Sequence, residues 1–151
     1  MARYMLILRY DEAVAMATPP DPAVFEEMGR FNTAMVDAGV LLAGEGLAPS
    51  AQGAVVTFPD GGGDGADDGD GPTVSDGPFS EARELIGGFW ILKVDSLDEA
   101  VSWARRAPFR TGERVEVRRV TEAEDFEGIA PEGVLEQEAE LRERAEQQHG
   151  G

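Results

Sequence analysis

The chain has 151 residues, one domain's worth, and with 42% hydrophobic residues it can bury a core of its own. A balance of 30 acidic against 13 basic residues leaves a net charge of -17, which repels nucleic acid and anionic membrane surfaces, and no local basic patch offsets it. There is no cysteine, so disulfides, thiolate zinc sites and cysteine nucleophiles are excluded together, and the single histidine is His149.

The N-terminal apolar run stops at Arg9 and lacks the length and small-residue cleavage site of a secretory signal, which predicts a cytoplasmic protein. No apolar stretch reaches the roughly 20 residues that a membrane helix needs. Lys93 is the sole lysine, a bias that fits either GC-rich coding or adaptation to salt.

In chain order, Tyr4-Met5-Leu6-Ile7-Leu8 reads as a buried strand. Asp21 caps a helix with Pro22 in its first turn, and Val24, Met28, Phe31, Met35 and Ala38 recur on one face until Gly39 ends it. Val40 to Ala43 forms a second strand running into Gly44-Glu45-Gly46-Leu47, and Ala54 to Phe58 a third. Residues 60 to 71 hold five Asp, six Gly and one Ala, a composition that buries nothing and predicts a flexible acidic hairpin tip with Thr73 to Ser75 as the returning strand. That loop invites a calcium reading, yet it matches neither EF-hand spacing nor a calcium-binding repeat.

After a polar stretch from Ser80 to Glu84, Phe89 to Val94 is the longest strand candidate. Ser96 and Glu99 have the spacing of a capping box, opening a helix that turns Leu97, Ala100, Val101 and Ala104 inward and stops before Pro108. Val115, Val117 and Val120 alternate with charged residues in a last strand. A charged helix runs from Pro131 to about Gln148, with Val134, Leu135, Leu141 and Ala145 as a thin apolar face.

Without the acidic hairpin, the order is strand, helix, strand, strand, helix, strand, the split βαβ pattern of an α+β ferredoxin-like domain with both helices on one face of an antiparallel sheet. The other sheet face would expose an apolar patch, and pairing of two sheets in a homodimer is the simplest cover.

The segment Val74-Ser75-Asp76-Gly77-Pro78-Phe79 through Gly87-Gly88-Phe89 resembles the signature of the YCII-related family, in the branch named for its DGPF motif. Arg3 to Ile7, Gly44 to Leu47, Asp98-Glu99-Ala100 with Trp103-Ala104, and Val115 to Arg118 resemble further parts of it. The resemblance spans roughly residues 1–121, leaving 122–151 as a C-terminal extension. It implies a dimeric α+β barrel with a small pocket near the DGPF segment, and ligands such as small ring-derived acids and lactones. The family's proposed His and Asp acid/base pair lacks its histidine here, since His149 falls outside the resembling region. A link of some members to extracytoplasmic-function sigma factors implies a competing accessory or regulatory role.

Each candidate site residue has a structural alternative. Asp76, held by a Gly-Pro turn at a strand end, is the catalytic acid/base candidate, but Asp-Gly-Pro-Phe is also a good turn, with Phe79 either plugging the core or bordering a pocket. Glu45, between two glycines, stands either beside a ligand or in solvent. Arg83 is a counter-ion for a carboxylate, the protein's own or a substrate's. Tyr4 offers either a hydroxyl to a cleft or a satisfied core phenol, and Trp90 and Trp103 read as core or interface aromatics. No phosphate-cradling loop, Ser/His/Asp set or metal-ligand cluster is present, so no cofactor and no metal is expected. Two readings stay open: a binding protein or enzyme for a small molecule, and a non-catalytic accessory protein.

Overall fold

The computed structural model describes residues 1–19, 21–59, 71–79 and 84–150, and the chain divides into two compact units, Met1–Arg119 and Val120–Gly151. In the first, β1 (Ala2–Tyr10), β2 (Leu41–Gly46), β5 (Leu85–Val94) and β6 (Arg114–Arg119) form an antiparallel sheet of order β2-β5-β1-β6. With α2 (Pro22–Asp37) after β1 and α3 (Leu97–Ala104) after β5, this mixed α+β topology is compatible with the ferredoxin-like arrangement.

One sheet face holds the core. Tyr4 and Leu6 of β1 and Trp90, Leu92 and Val94 of β5 pack with Phe31 and Met35 of α2 and Ala100 of α3. Leu6, Met35, Leu92 and Val94 are fully buried, each removal from water contributing about 1.5–3 kcal/mol. Trp90 sits edge-on to Phe31 at 5.6 Å, and its Nε1–H donates to Asn32 Oδ1 at 2.9 Å, which satisfies the indole within the core. Alternation carries Met5, Ile7, Phe89 and Ile91 to the opposite face, where they form neighbouring half-buried pairs.

The helix signals hold at most positions. Asp21 Oδ1 accepts from the Ala23 amide, Pro22 lies in the first turn, and Gly39 closes α2 with a φ of 72° that an L side chain rarely adopts. The Ser96 hydroxyl accepts from the Glu99 amide at 3.1 Å, but Glu99 returns to the amide of Asp95, one residue earlier than a capping box requires. Leu97, expected to face inward, is half exposed because it opens the helix ahead of the first buried turn.

Two elements exceed the sequence expectation. Helix α1 (Glu12–Ala17) is six residues without apolar periodicity, started by Asp11, whose Oδ1 accepts from the amides of Ala13 and Val14. Strand β5 begins at Leu85 rather than Phe89: the Gly87-Gly88 pair weakens the local strand signal, and Gly87 is the extra residue where pairing with β1 shifts register. A Cβ on Gly87 would stand 2.8 Å from Tyr10 Cε1, so the Tyr10 ring occupies the space that this glycine leaves.

The hairpin of β3 (Ala54–Thr57) and β4 (Thr73–Asp76) forms a separate two-stranded sheet pairing Ala54 with Asp76 and Thr57 with Thr73. The acidic tip expected between them lies, up to Asp70, outside the described residues.

The second unit holds a 3-10 turn, Ala123–Phe126, and α4 (Val134–His149), none of whose residues is buried. This helix starts three residues after Pro131 because Gly133 precedes it in a left-handed conformation, φ 88°. Among the described residues, no helix is long and apolar enough to cross a membrane.

Candidate functional site

The Asp76–Phe79 segment is docked on a 3-10 turn, Ser50–Gln52, that precedes β3. The Gly77 amide donates to Gly53 O at 2.9 Å and the Phe79 amide to Ser50 Oγ at 3.1 Å. A Cβ on Gly77 would fall 1.6 Å from Ser50 O, so only glycine allows the two backbones to meet. The Phe79 ring covers Gly53, its Cζ 3.8 Å from where a Cβ would stand there.

Ser50 is itself anchored from the far end of β1. Its hydroxyl donates to Glu12 Oε1 at 2.6 Å and its amide to Glu12 Oε2 at 3.0 Å, while the Tyr10 hydroxyl donates to the same Oε2 at 3.2 Å. These bonds, led by the Ser50 hydroxyl and then its amide, hold the Glu12 carboxyl below its ordinary pKa against a smaller opposing effect of burial. Burial, followed by the Glu12 charge and hydrogen bond, raises the Tyr10 phenol. A carboxylate held by three donors is an anchor and a weak base. The network Tyr10–Glu12–Ser50–Phe79 therefore fastens the Asp76–Phe79 segment to the main sheet.

Of the residues singled out in the sequence, Phe79 alone joins this network, through its amide. Asp76 is exposed at the end of β4, and Glu45 is exposed on β2 opposite Phe89. Tyr4 is a core residue, 8% exposed. Arg83 lies outside the described residues. Its neighbour Glu84 bridges Arg9, at 2.9 Å, and Arg114. Trp90 is core, and Trp103 carries the Arg106 guanidinium over its ring at 4.4 Å. Glu12, Ser50 and the Tyr10 hydroxyl escaped sequence reasoning because they meet across 38 residues with no motif spacing between them. Among the described residues, no three His, Cys, Asp or Glu side chains converge as a metal site.

Beside Tyr10, a groove of about 650 Å³ opens between β1, the α1–α2 segment and residues 108–113. Its apolar walls include Leu8, Val24, Phe25, Met28 and Phe109. Phe25 is 74% exposed, and Phe109 is braced from behind by Trp90 at 5.8 Å. Asp11, Asp21, Glu113 and Arg110 supply the charged lining. Arg110 reaches back across the chain to Asp21 Oδ2 at 2.7 Å.

The strand order, with the Asp76–Phe79 turn clasped to the end of the first strand, defines an α+β domain. A family model described as the YCII-related domain matches residues 2–124, and the chain belongs to the YCII-related family. It is also 31% identical over 104 residues, 68% of this chain and 77% of the relative, to an uncharacterised protein of Rhizobium meliloti (strain 1021).

Proposed function

We propose that this member of the YCII-related family, of the DGPF-bearing branch, is a small-molecule-binding protein that works as a homodimer and holds a compact ring compound in the groove beside Tyr10. The observation that carries this reading is the groove itself: about 650 Å³ with aliphatic and aromatic walls and a few fixed polar groups, within the ordinary range of ligand pockets. Of the two ligand classes that the resemblance implies, the lactone matches better than the acid, because Arg110 is the one basic group among the described lining residues and Asp21 already holds it.

Binding, rather than acid/base turnover, fits the carboxylates. Asp76 is exposed and is not among the groove walls, and Glu12 is committed to three donors. The half-buried Met5, Ile7, Phe89 and Ile91 on the open sheet face support the homodimer.

Ligand-observed NMR with γ-butyrolactones bearing a phenyl or alkyl group tests the groove. Binding that disappears in Phe25→Asp, with the fold retained by circular dichroism, is the expected result. Absence of binding, or binding indifferent to Phe25→Asp, overturns the reading.

A further inference from the structure

The geometry points to a charge preference within this groove: it selects a ring compound that carries a protonated amine. The inference rests on the groove being the ligand site and adds the chemistry of the substituent.

Three carboxylates, Asp11, Asp21 and Glu113, line the groove against one guanidinium, Arg110. None of the three is a loose surface chain. Asp11 is held by the amides of Ala13 and Val14, Asp21 by that of Ala23, and Glu113 Oε2 accepts from the Arg110 amide at 2.8 Å. Arg110 is matched by Asp21 at 2.7 Å. Among the described residues of the lining, Asp11 and Glu113 therefore carry two negative charges with no basic group beyond Arg110 to match them.

The walls suit a cation as well. Tyr10, Phe25 and Phe109 line the same space, and an ammonium gains from aromatic groups and carboxylates together. The chain's net charge of -17 adds a long-range field that draws cations and repels acids. A ring with an ammonium substituent thus meets apolar walls with its body and acidic groups with its charge, whereas a ring-derived carboxylate meets the same acids with the wrong sign.

The test uses three compounds of one shape, phenethylamine, phenethyl alcohol and phenylacetate, with dissociation constants measured on the full chain at pH 7 and low salt. The amine is expected to bind about tenfold tighter than the alcohol, and phenylacetate weakest, with the amine's advantage shrinking as salt rises. Asp11→Asn keeps the helix cap, since Asn serves as well there, yet removes a charge. It should cut the amine-to-alcohol ratio severalfold, a readout that a merely structural role would not move.

Alcohol binding equal to or tighter than amine binding, or phenylacetate binding tightest, overturns the charge preference and leaves the groove reading standing. Amine binding undiminished in Phe25→Ser, which removes the aromatic wall without adding a charge, also overturns it, as attraction to an acidic surface. If none of the three binds while the lactones do, the preference falls and the groove reading stands; if the lactones fail as well, both fall.

Discussion

Glu12 takes both hydrogen bonds that Ser50 has to give, one carboxylate oxygen from the hydroxyl at 2.6 Å and the other from the amide at 3.0 Å. Through this pairing the residue that opens α1 governs the position of a turn 38 residues away, and through the Ser50 hydroxyl it reaches Phe79 at the end of the Asp76–Phe79 segment.

The pairing makes stability depend on pH. The Glu12 pKa is lowered below 4.5 in the folded chain, chiefly by the Ser50 hydroxyl, so its contribution is fully present above that value and is lost as pH falls through the folded pKa. Urea unfolding from pH 7 to pH 3 should show Glu12→Gln less stable than wild type at pH 7. The gap should close at the acid end. A gap of constant size would contradict the hydrogen-bonded carboxylate.

Gly77 and Asp76 are adjacent and should behave oppositely. A methyl at Gly77 collides with Ser50 O, and Gly77→Ala should cost about 1–3 kcal/mol as an overpacked site. Asp76→Asn, at an exposed position, should fall within about 0.5 kcal/mol of wild type and leave ligand binding unchanged. Chemical denaturation reads the first two, and NMR titration the last.

Core and hairpin should separate in the same way. Leu6 is fully buried, and Leu6→Ala should cost about 2–5 kcal/mol by leaving a cavity. Val56 on β3 is 51% exposed, and Val56→Thr should change stability by less than about 0.5 kcal/mol. Thermal unfolding followed by circular dichroism distinguishes them.

The proposed homodimer should be breakable from the open face. Ile7 and Phe89 are cross-strand partners there, so Ile7→Asp should turn a dimer into a monomer in sedimentation equilibrium while the far-ultraviolet spectrum is retained. A wild-type chain that sediments as a monomer would overturn this assembly.

Much of the fold was legible because its signals are local. The Asp21 cap, the Phe31 and Met35 stripe and the Gly39 stop lie within one helix's length, and the alternation of Leu6 and of Val115 and Val117 marks strands directly. Strand β5 was legible only from Phe89 onward, since Gly87 and Gly88 contribute no side chains to the pattern. Helix α1 was missed because six residues span fewer than two turns and leave no period to read.

The site divides along the same line. The sequence by itself determined the acidity, the lack of a core histidine and the order of the four main strands and the two core helices, because composition, caps and periodicity are properties of neighbouring residues. Only the tertiary structure decided that Asp76 faces solvent, that Tyr4 is core, that Glu12 and Ser50 hold the Asp76–Phe79 turn, and that Tyr10, Phe25 and Phe109 share a groove with Asp21 and Arg110. Those relations join residues up to 100 positions apart, Tyr10 and Arg110 of the groove, and contacts at that range follow from how sheet and helices pack, which no local pattern encodes.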